Sequence, residues 1–254
     1  MGEKAPNHSP NSHRLAHYLL GDAPISSYQD DVLGRSKSAE KFAQQILSLP
    51  ISPAFAIGIV GAWGSGKTSF LNLIKEKMEA ASTDKLLLMP YNPWSRQEGY
   101  RISSHFFTLL SKHCGPYSDA LGRLIPQYRD QLNNRYRSSR LPFLLRSYYQ
   151  QNTTYQELFI KINQAFARLN YKIIILIDDI DRLPKEEVIE LITLIYKTAR
   201  LQNICFVTAY DKQYIVKAIE SQSEYNADYF LEKVFQLEYH LPKISQSFLK
   251  TTLL

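Results

Sequence analysis

The chain of 254 residues is 44% hydrophobic and 21% charged, an ordinary globular composition that excludes collagen, coiled coil and wholesale disorder. Its 30 basic residues against 24 acidic ones leave a net charge of +6, a mild bias toward anionic partners. Two cysteines exclude a disulfide framework, and the longest uninterrupted apolar run, Ile173 to Ile177, falls far short of the roughly 20 residues that cross a bilayer.

Residues 1–14 are rich in Pro, Asn, Ser and His and read as a disordered arm. They lack the apolar stretch of an export signal, and Pro6 occupies the place where a myristoylation signal takes Ser or Thr. With so few cysteines, a reducing cytoplasm is the expected compartment. A domain is expected from residue 25 to the end of the chain. In DVLGRSKSAEKFAQQILSL, the residues Ala39, Phe42, Ala43, Ile46 and Leu47 share one helical face, with Ser36 or Ser38 as an N-cap. AFAIGIV at 54–60, between Pro53 and Gly61, has the pattern of a strand buried on both faces. KLLLMPYN at 85–92, KIIILID at 172–178 and NICFVTAY at 203–210 add three more strands. Helical patterns lie between them at Thr68 to Ala81, Ile102 to Lys112, Tyr155 to Leu169 and Lys185 to Arg200. This alternation predicts an α/β fold with a parallel sheet covered by helices on both faces. The stretch 115–154 follows no clear period, is punctuated by Pro116, Pro126 and Pro142, and reads as a partly helical insertion.

The chemistry concentrates after the first strand. Gly61-Ala62-Trp63-Gly64-Ser65-Gly66-Lys67-Thr68 matches G-x-x-x-x-G-K-[ST], in the strand, glycine turn, helix context the motif demands. Glycines let main-chain amides curl around an anion, the helix dipole adds positive potential, and Lys67 reaches the outer phosphates. The Thr68 hydroxyl suits magnesium, which also needs a carboxylate on a neighbouring strand tip. Asp178 ends the third strand and takes that role; Asp179 is placed to orient or deprotonate an attacking water. Asp181 contests the water role, or else caps the next helix or pairs with Arg182. A kinase would use the same cradle, but a second acid beside the metal carboxylate favours water as acceptor. Thr208, read as ending the fourth strand, is either a sensor of the terminal phosphate or a plain strand-end residue. Trp94 either lines a cleft or anchors the core. The histidines show no ligand spacing.

These blocks together resemble the KAP family of P-loop NTPases: DVLGR at 31–35, GAWGSGKTS at 61–69, YNPW at 91–94, IIILIDDIDR at 173–182, FVTAYDKQYI at 206–215 and FLEKVFQLEYHLP at 230–242. The resemblance implies a three-layer P-loop sandwich of the additional-strand type, with the strand carrying Thr208 between the other two. It also implies ATP and Mg2+ as ligands, slow hydrolysis coupled to assembly as a homo-oligomer, and bacterial conflict, including anti-phage defence, as a setting. It extends ligand contact along the loop to Ser69, supports Lys67, Thr68, Asp178 and Asp179, and adds Arg35 near the base and Lys233 near phosphates of its own or a neighbouring subunit. Members often carry transmembrane helices between the two Walker motifs; here that interval holds Arg/Tyr-rich sequence. From Arg123 to Arg146 six arginines face one acid, Asp130. With Tyr117, Tyr128, Tyr136, Tyr148 and Tyr149 they could meet nucleic acid. They could instead lie on anionic lipid with LPFLL at 141–145 dipping in, or form a solvated face against the core or another subunit. A lid or effector beyond the last block, or on a partner protein, is expected to carry the output. The rival to an ATPase motor or switch is a nucleotide-gated scaffold with negligible turnover; a third reading is an NTPase stimulated by nucleic acid through the insertion.

Overall fold

The computed structural model describes residues 23–50, 54–81, 85–96, 99–137, 153–222 and 226–242. The arm at 1–14, Arg140, Arg146, the LPFLL segment and the chain after Pro242 lie outside them. The strands are β1 (Phe55–Val60), β2 (Leu86–Tyr91), β3 (Lys172–Ile177), β4 (Ile204–Tyr210) and β5 (Leu237–His240). They form one parallel sheet in the order β2-β3-β4-β1-β5. The strand carrying Thr208 thus stands between β3 and β1, the additional-strand arrangement the resemblance implied. β5 was not anticipated: it has only four residues and no fully buried one, so its sequence lacks the apolar run of a central strand.

Strand alternation divides β3 between two cores. Ile174 and Leu176 face a layer made by α1 (Ser36–Ser48) and α2 (Lys67–Ala80), together with Ile57, Ile59 and Val207. Ile173, Ile175 and Ile177 face the opposite layer, with Phe206 and Tyr210. That layer contains α3 (Ile102–Cys114), α4 (Asp119–Arg137), α5 (Thr153–Arg168), α6 (Lys185–Thr198), α7 (Lys212–Glu220) and α8 (Ala227–Val234). Burial on both faces is why these strands read as unbroken apolar runs.

α1 begins where expected but is capped differently. Neither Ser36 nor Ser38 caps it; the Asp31 carboxylate accepts from the Ser36 main-chain N–H at 2.6 Å and from its hydroxyl. At the other end, Lys172 Nζ donates to Ile46 O, Leu47 O and Leu49 O at 3.0, 2.9 and 2.5 Å, so the first residue of β3 satisfies the last carbonyls of α1.

The described residues of the stretch 115–154 are more regular than the sequence suggests. α4 runs unbroken through Pro126 and buries Leu121, Ile125 and Tyr128 at helical spacing between α3 and α5. A tyrosine serving as a core residue hid that period. Tyr128 is 3% exposed, packs edge-on to Phe107 and stacks on Tyr155, so it is not free to stack on a base. Tyr117 packs on Tyr171. Arg129 pairs with Asp130, whereas Arg123 is exposed. Among the described residues no helix is long and apolar enough to cross a membrane.

Candidate nucleotide-binding site

β1 delivers the chain to Gly61, and α2 starts at Lys67, so the motif forms the turn between a central strand and a helix N-terminus. Gly64 and Gly66 have φ of 74° and 81°, a region that other residues enter at a cost. Space is tight at Gly61: a Cβ there would stand 2.4 Å from Ser65 Oγ, which would have to turn aside. That hydroxyl is buried and has no hydrogen-bond partner. Ala62, Trp63 and Gly64 form the exposed crest, with Trp63 67% exposed and the Arg182 guanidinium 5.8 Å from its ring. Ser69 lies to the side. Its hydroxyl accepts from Ile25 N at 3.3 Å, in line with Asn72 and Glu76, which bind Ile25 O and Tyr28 N.

Lys67 is folded back onto its own loop. Its ammonium donates to Gly61 O and Ala62 O at 3.1 and 3.2 Å and pairs with Asp181 Oδ2 at 2.8 Å, both side chains being about nine-tenths buried. Asp181 accepts from Asp211 N through its other oxygen at 2.8 Å, which ties the lysine to the start of α7. Asp181 therefore neither pairs with Arg182 nor stands free for water; its partner is Lys67.

The tip of β3 supplies the remaining carboxylates. Asp178 N donates to Tyr91 O at 3.2 Å, which sets the tips of β2 and β3 side by side. Burial pushes the Asp178 carboxyl above the usual carboxylate range, although the Thr68 hydroxyl and the Asp179 N–H donate to it. Thr68 and Asp178 are thus together, and a desolvated carboxylate beside a hydroxyl is the hard-oxygen pair that fits magnesium. Asp179 has φ 59°, unusual outside glycine, and this turns its side chain away from the strand. Its carboxylate accepts from Asn92 Nδ2 at 2.7 Å and from Arg182 Nε at 2.7 Å. Asn92 was not singled out in the sequence. Its Oδ1 also caps the turn Pro93–Ser95, and its place at the end of β2, level with the acids, is the signal that would have found it.

Thr208 stands elsewhere than expected, and Trp94 and Lys233 each keep one of their two readings. Thr208 does not end its strand: β4 continues to Tyr210, and Thr208 is fully buried between Gly58 and Ile177, its hydroxyl without a partner. Its side chain shares the core face of Phe206 and Tyr210, which keeps it off the sheet tip. Trp94 is 52% exposed and anchors no core. Lys233 lies near the end of α8, its ammonium 4.1 Å from the centre of the Tyr229 ring. The chain after α8 enters the sheet at the start of β1, where Gln236 N donates to Ala56 O at 3.0 Å. Ala56 is about 16 Å by strand rise from Gly61, so the chain just after Lys233 meets the sheet at the end opposite its own phosphate loop. Arg35, in contrast, is brought to the loop: it is 9% exposed and donates to Ser65 O.

The chain matches the KAP family P-loop domain over residues 35–254. A curated relative, the phage T7 exclusion protein of Escherichia coli (strain K12), is 27% identical over 264 aligned positions, covering 87% of this chain and 34% of that protein. The chain thus spans about a third of the length of the curated relative it matches. Among solved structures, the Aeropyrum pernix ORC1 protein in complex with DNA is 16% identical with a TM-score of 0.48, covering 92% of this chain and 52% of that one. Cdc6p from Pyrobaculum aerophilum is 12% identical with a TM-score of 0.47, covering 90% and 50%. Phosphate loop, carboxylates at the tip of β3 and family match agree, and the chain belongs to the KAP family of P-loop NTPases.

Proposed function

We propose that residues 25–254 form an NTPase domain that binds ATP with Mg2+ and hydrolyses it slowly, as a motor or switch whose output lies elsewhere. The observation that carries this reading is the arrangement at the tips of β1 and β3, on either side of β4. A buried lysine held by its own loop and by Asp181 stands beside the Thr68–Asp178 pair, and Asp179 follows directly. Phosphate oxygens would take the place of Asp181 and the loop carbonyls as partners of Lys67 Nζ, and main-chain N–H groups between Gly61 and Thr68 would bind the rest of the anion. Thr68 Oγ1 and Asp178 would hold magnesium, which supplies charge neutralisation on the phosphates. Asp179 is the base: one carboxylate oxygen accepts the proton of the attacking water as its oxygen bonds to the terminal phosphorus, and ADP leaves.

Slow turnover is supported by one feature. Both oxygens of Asp179 are engaged, one by Asn92 and one by Arg182, so an attacking water has to share the carboxylate with both. The same feature favours the second reading, a nucleotide-gated scaffold with negligible hydrolysis. Phosphate release by the wild type and by Asp179→Asn separates them: an ATPase loses turnover while keeping ATP binding, and a scaffold has little turnover to lose.

The relative's name, a phage T7 exclusion protein, supports anti-phage defence as the setting. Two buried, unpaired cysteines support a reducing cytoplasm. Homo-oligomerisation would give Lys233 a use at a neighbouring subunit's phosphates. The readings of the insertion as a nucleic-acid or lipid surface keep exposed Arg123 but not Tyr128.

A further inference from the structure

Arg35 precedes α1 and sends its guanidinium under the phosphate loop. Nη1 donates to Ser65 O at 2.5 Å and Nη2 to Pro242 O at 3.0 Å. Burial lowers its pKa below the ordinary arginine value, opposed by the charge of Asp31. The Asp31 carboxylate is itself occupied by Ser36, so the two hydrogen bonds found for the guanidinium both end on main-chain carbonyls. Withdrawing a cation from water onto neutral acceptors is costly, and it is more than a structural contact at the surface requires.

Two details say what this contact accomplishes. A trans peptide is planar, with C=O and N–H on opposite sides. Drawing Ser65 O toward Arg35 therefore turns the Gly66 N–H away from the guanidinium and leaves it free for an anion. A Cβ at Gly66 would stand 2.8 Å from Nη1, so a methyl group there meets the guanidinium in addition to the cost of the positive φ. The second bond ends on Pro242, directly after Leu241, whose N–H donates to Val60 O at 2.8 Å. Leu241 Cδ1 would lie 3.4 Å from a Cβ at Gly61. The fifth residue of the loop is thus tied through Arg35 to the chain leaving β5, and Leu241 stands beside the first.

We infer that Arg35 is a positioning residue that presets the Ser65–Gly66 peptide for a phosphate and ties that peptide to the chain leaving β5. Nucleotide occupancy and the state of residues 239–242 are then linked, and the linkage is reciprocal. This rests on the phosphate-binding reading above and goes beyond a role for Arg35 near the base.

The test is calorimetry of Mg-ATP and Mg-ADP with the full-length protein and with Arg35→Gln and Arg35→Lys. The expected result for Arg35→Gln is affinity for both nucleotides weakened about tenfold, with KM rising more than kcat falls, and partial recovery in Arg35→Lys. Gly66→Ala should cost less affinity in the Arg35→Gln background than alone, since the guanidinium is what its methyl group meets. Wild-type binding with Arg35→Gln within twofold of it overturns the inference, whereas a wild type that binds no nucleotide overturns the phosphate-binding reading itself. Should the variants not fold, hydrogen exchange of the wild type decides. Protection by Mg-ATP that extends from 61–68 to 239–241 supports the link, and protection confined to 61–68 overturns it.

Discussion

At the tips of β1 and β3, Lys67, Asp178 and Asp181 are withdrawn from water and hold one another or the main chain, in contacts that a phosphate or a cation can replace. In the layer of α3, α4 and α5 the pattern reverses: Arg123 is exposed, while the aromatics Phe107 and Tyr128 fill the interior. Both regions are rich in the residue types that suggest binding. Only the first desolvates its charges, and desolvated charges are poised to exchange partners, whereas solvated ones have little to gain.

Substitutions in each region test that contrast. The largest effect is expected for Asp179→Asn, a loss of about 10³-fold in ATP turnover with Mg-ATP affinity retained, read by phosphate release and calorimetry. Tyr128→Ala should destabilise the protein by about 3 kcal/mol in urea titration and leave the nucleotide affinity of the folded fraction unchanged; a parallel loss of affinity would erase the distinction between the regions. Lys67→Ala should weaken Mg-ATP binding about 100-fold, and an isotherm equal to that of the wild type would remove the site from the β1 tip.

Asp178 offers a pH test. Its carboxyl is held above the usual range by burial, so its ionisation opposes folding of the ligand-free protein. The favourable contribution is present below the ordinary carboxylate pKa and is lost as pH rises through the raised value. Asp178→Asn should therefore have the higher Tm near pH 7 without ligand, and the difference should close as the pH falls toward about 4. The smallest effect belongs to Arg123→Glu, expected to change stability by no more than about 0.5 kcal/mol because the side chain lies in solvent.

Legibility followed the range of the interaction. β1, β3 and β4 were plain because strands buried on both faces are continuous apolar runs. β5, α7 and α8 are short or weakly apolar and hold their places through packing on neighbours distant in sequence. The acids of the β3 tip could be located from the strand's end, but their partners could not. Asp181 meets Lys67 and Asp179 meets Asn92 across gaps of about a hundred residues, which local spacing does not encode. Thr208 was misjudged because a strand's end is set by its neighbours' ladders, here continuing to Tyr210 against Val60.

The parallel α/β class, the glycine cradle with Lys67 and Thr68, and the acids after β3 are legible along the chain, since each depends on residues adjacent in it or at one fixed period. Tertiary structure alone decided that Lys67 rests on Asp181, that Asp179 is held by Asn92 and Arg182, that the chain just after Lys233 meets the sheet at the end opposite the phosphate loop and that Arg35 lies against that loop. Those are contacts between strand tips and caps separated by whole elements, and their partners are chosen by sheet order and by the cost of leaving a buried charge unpaired.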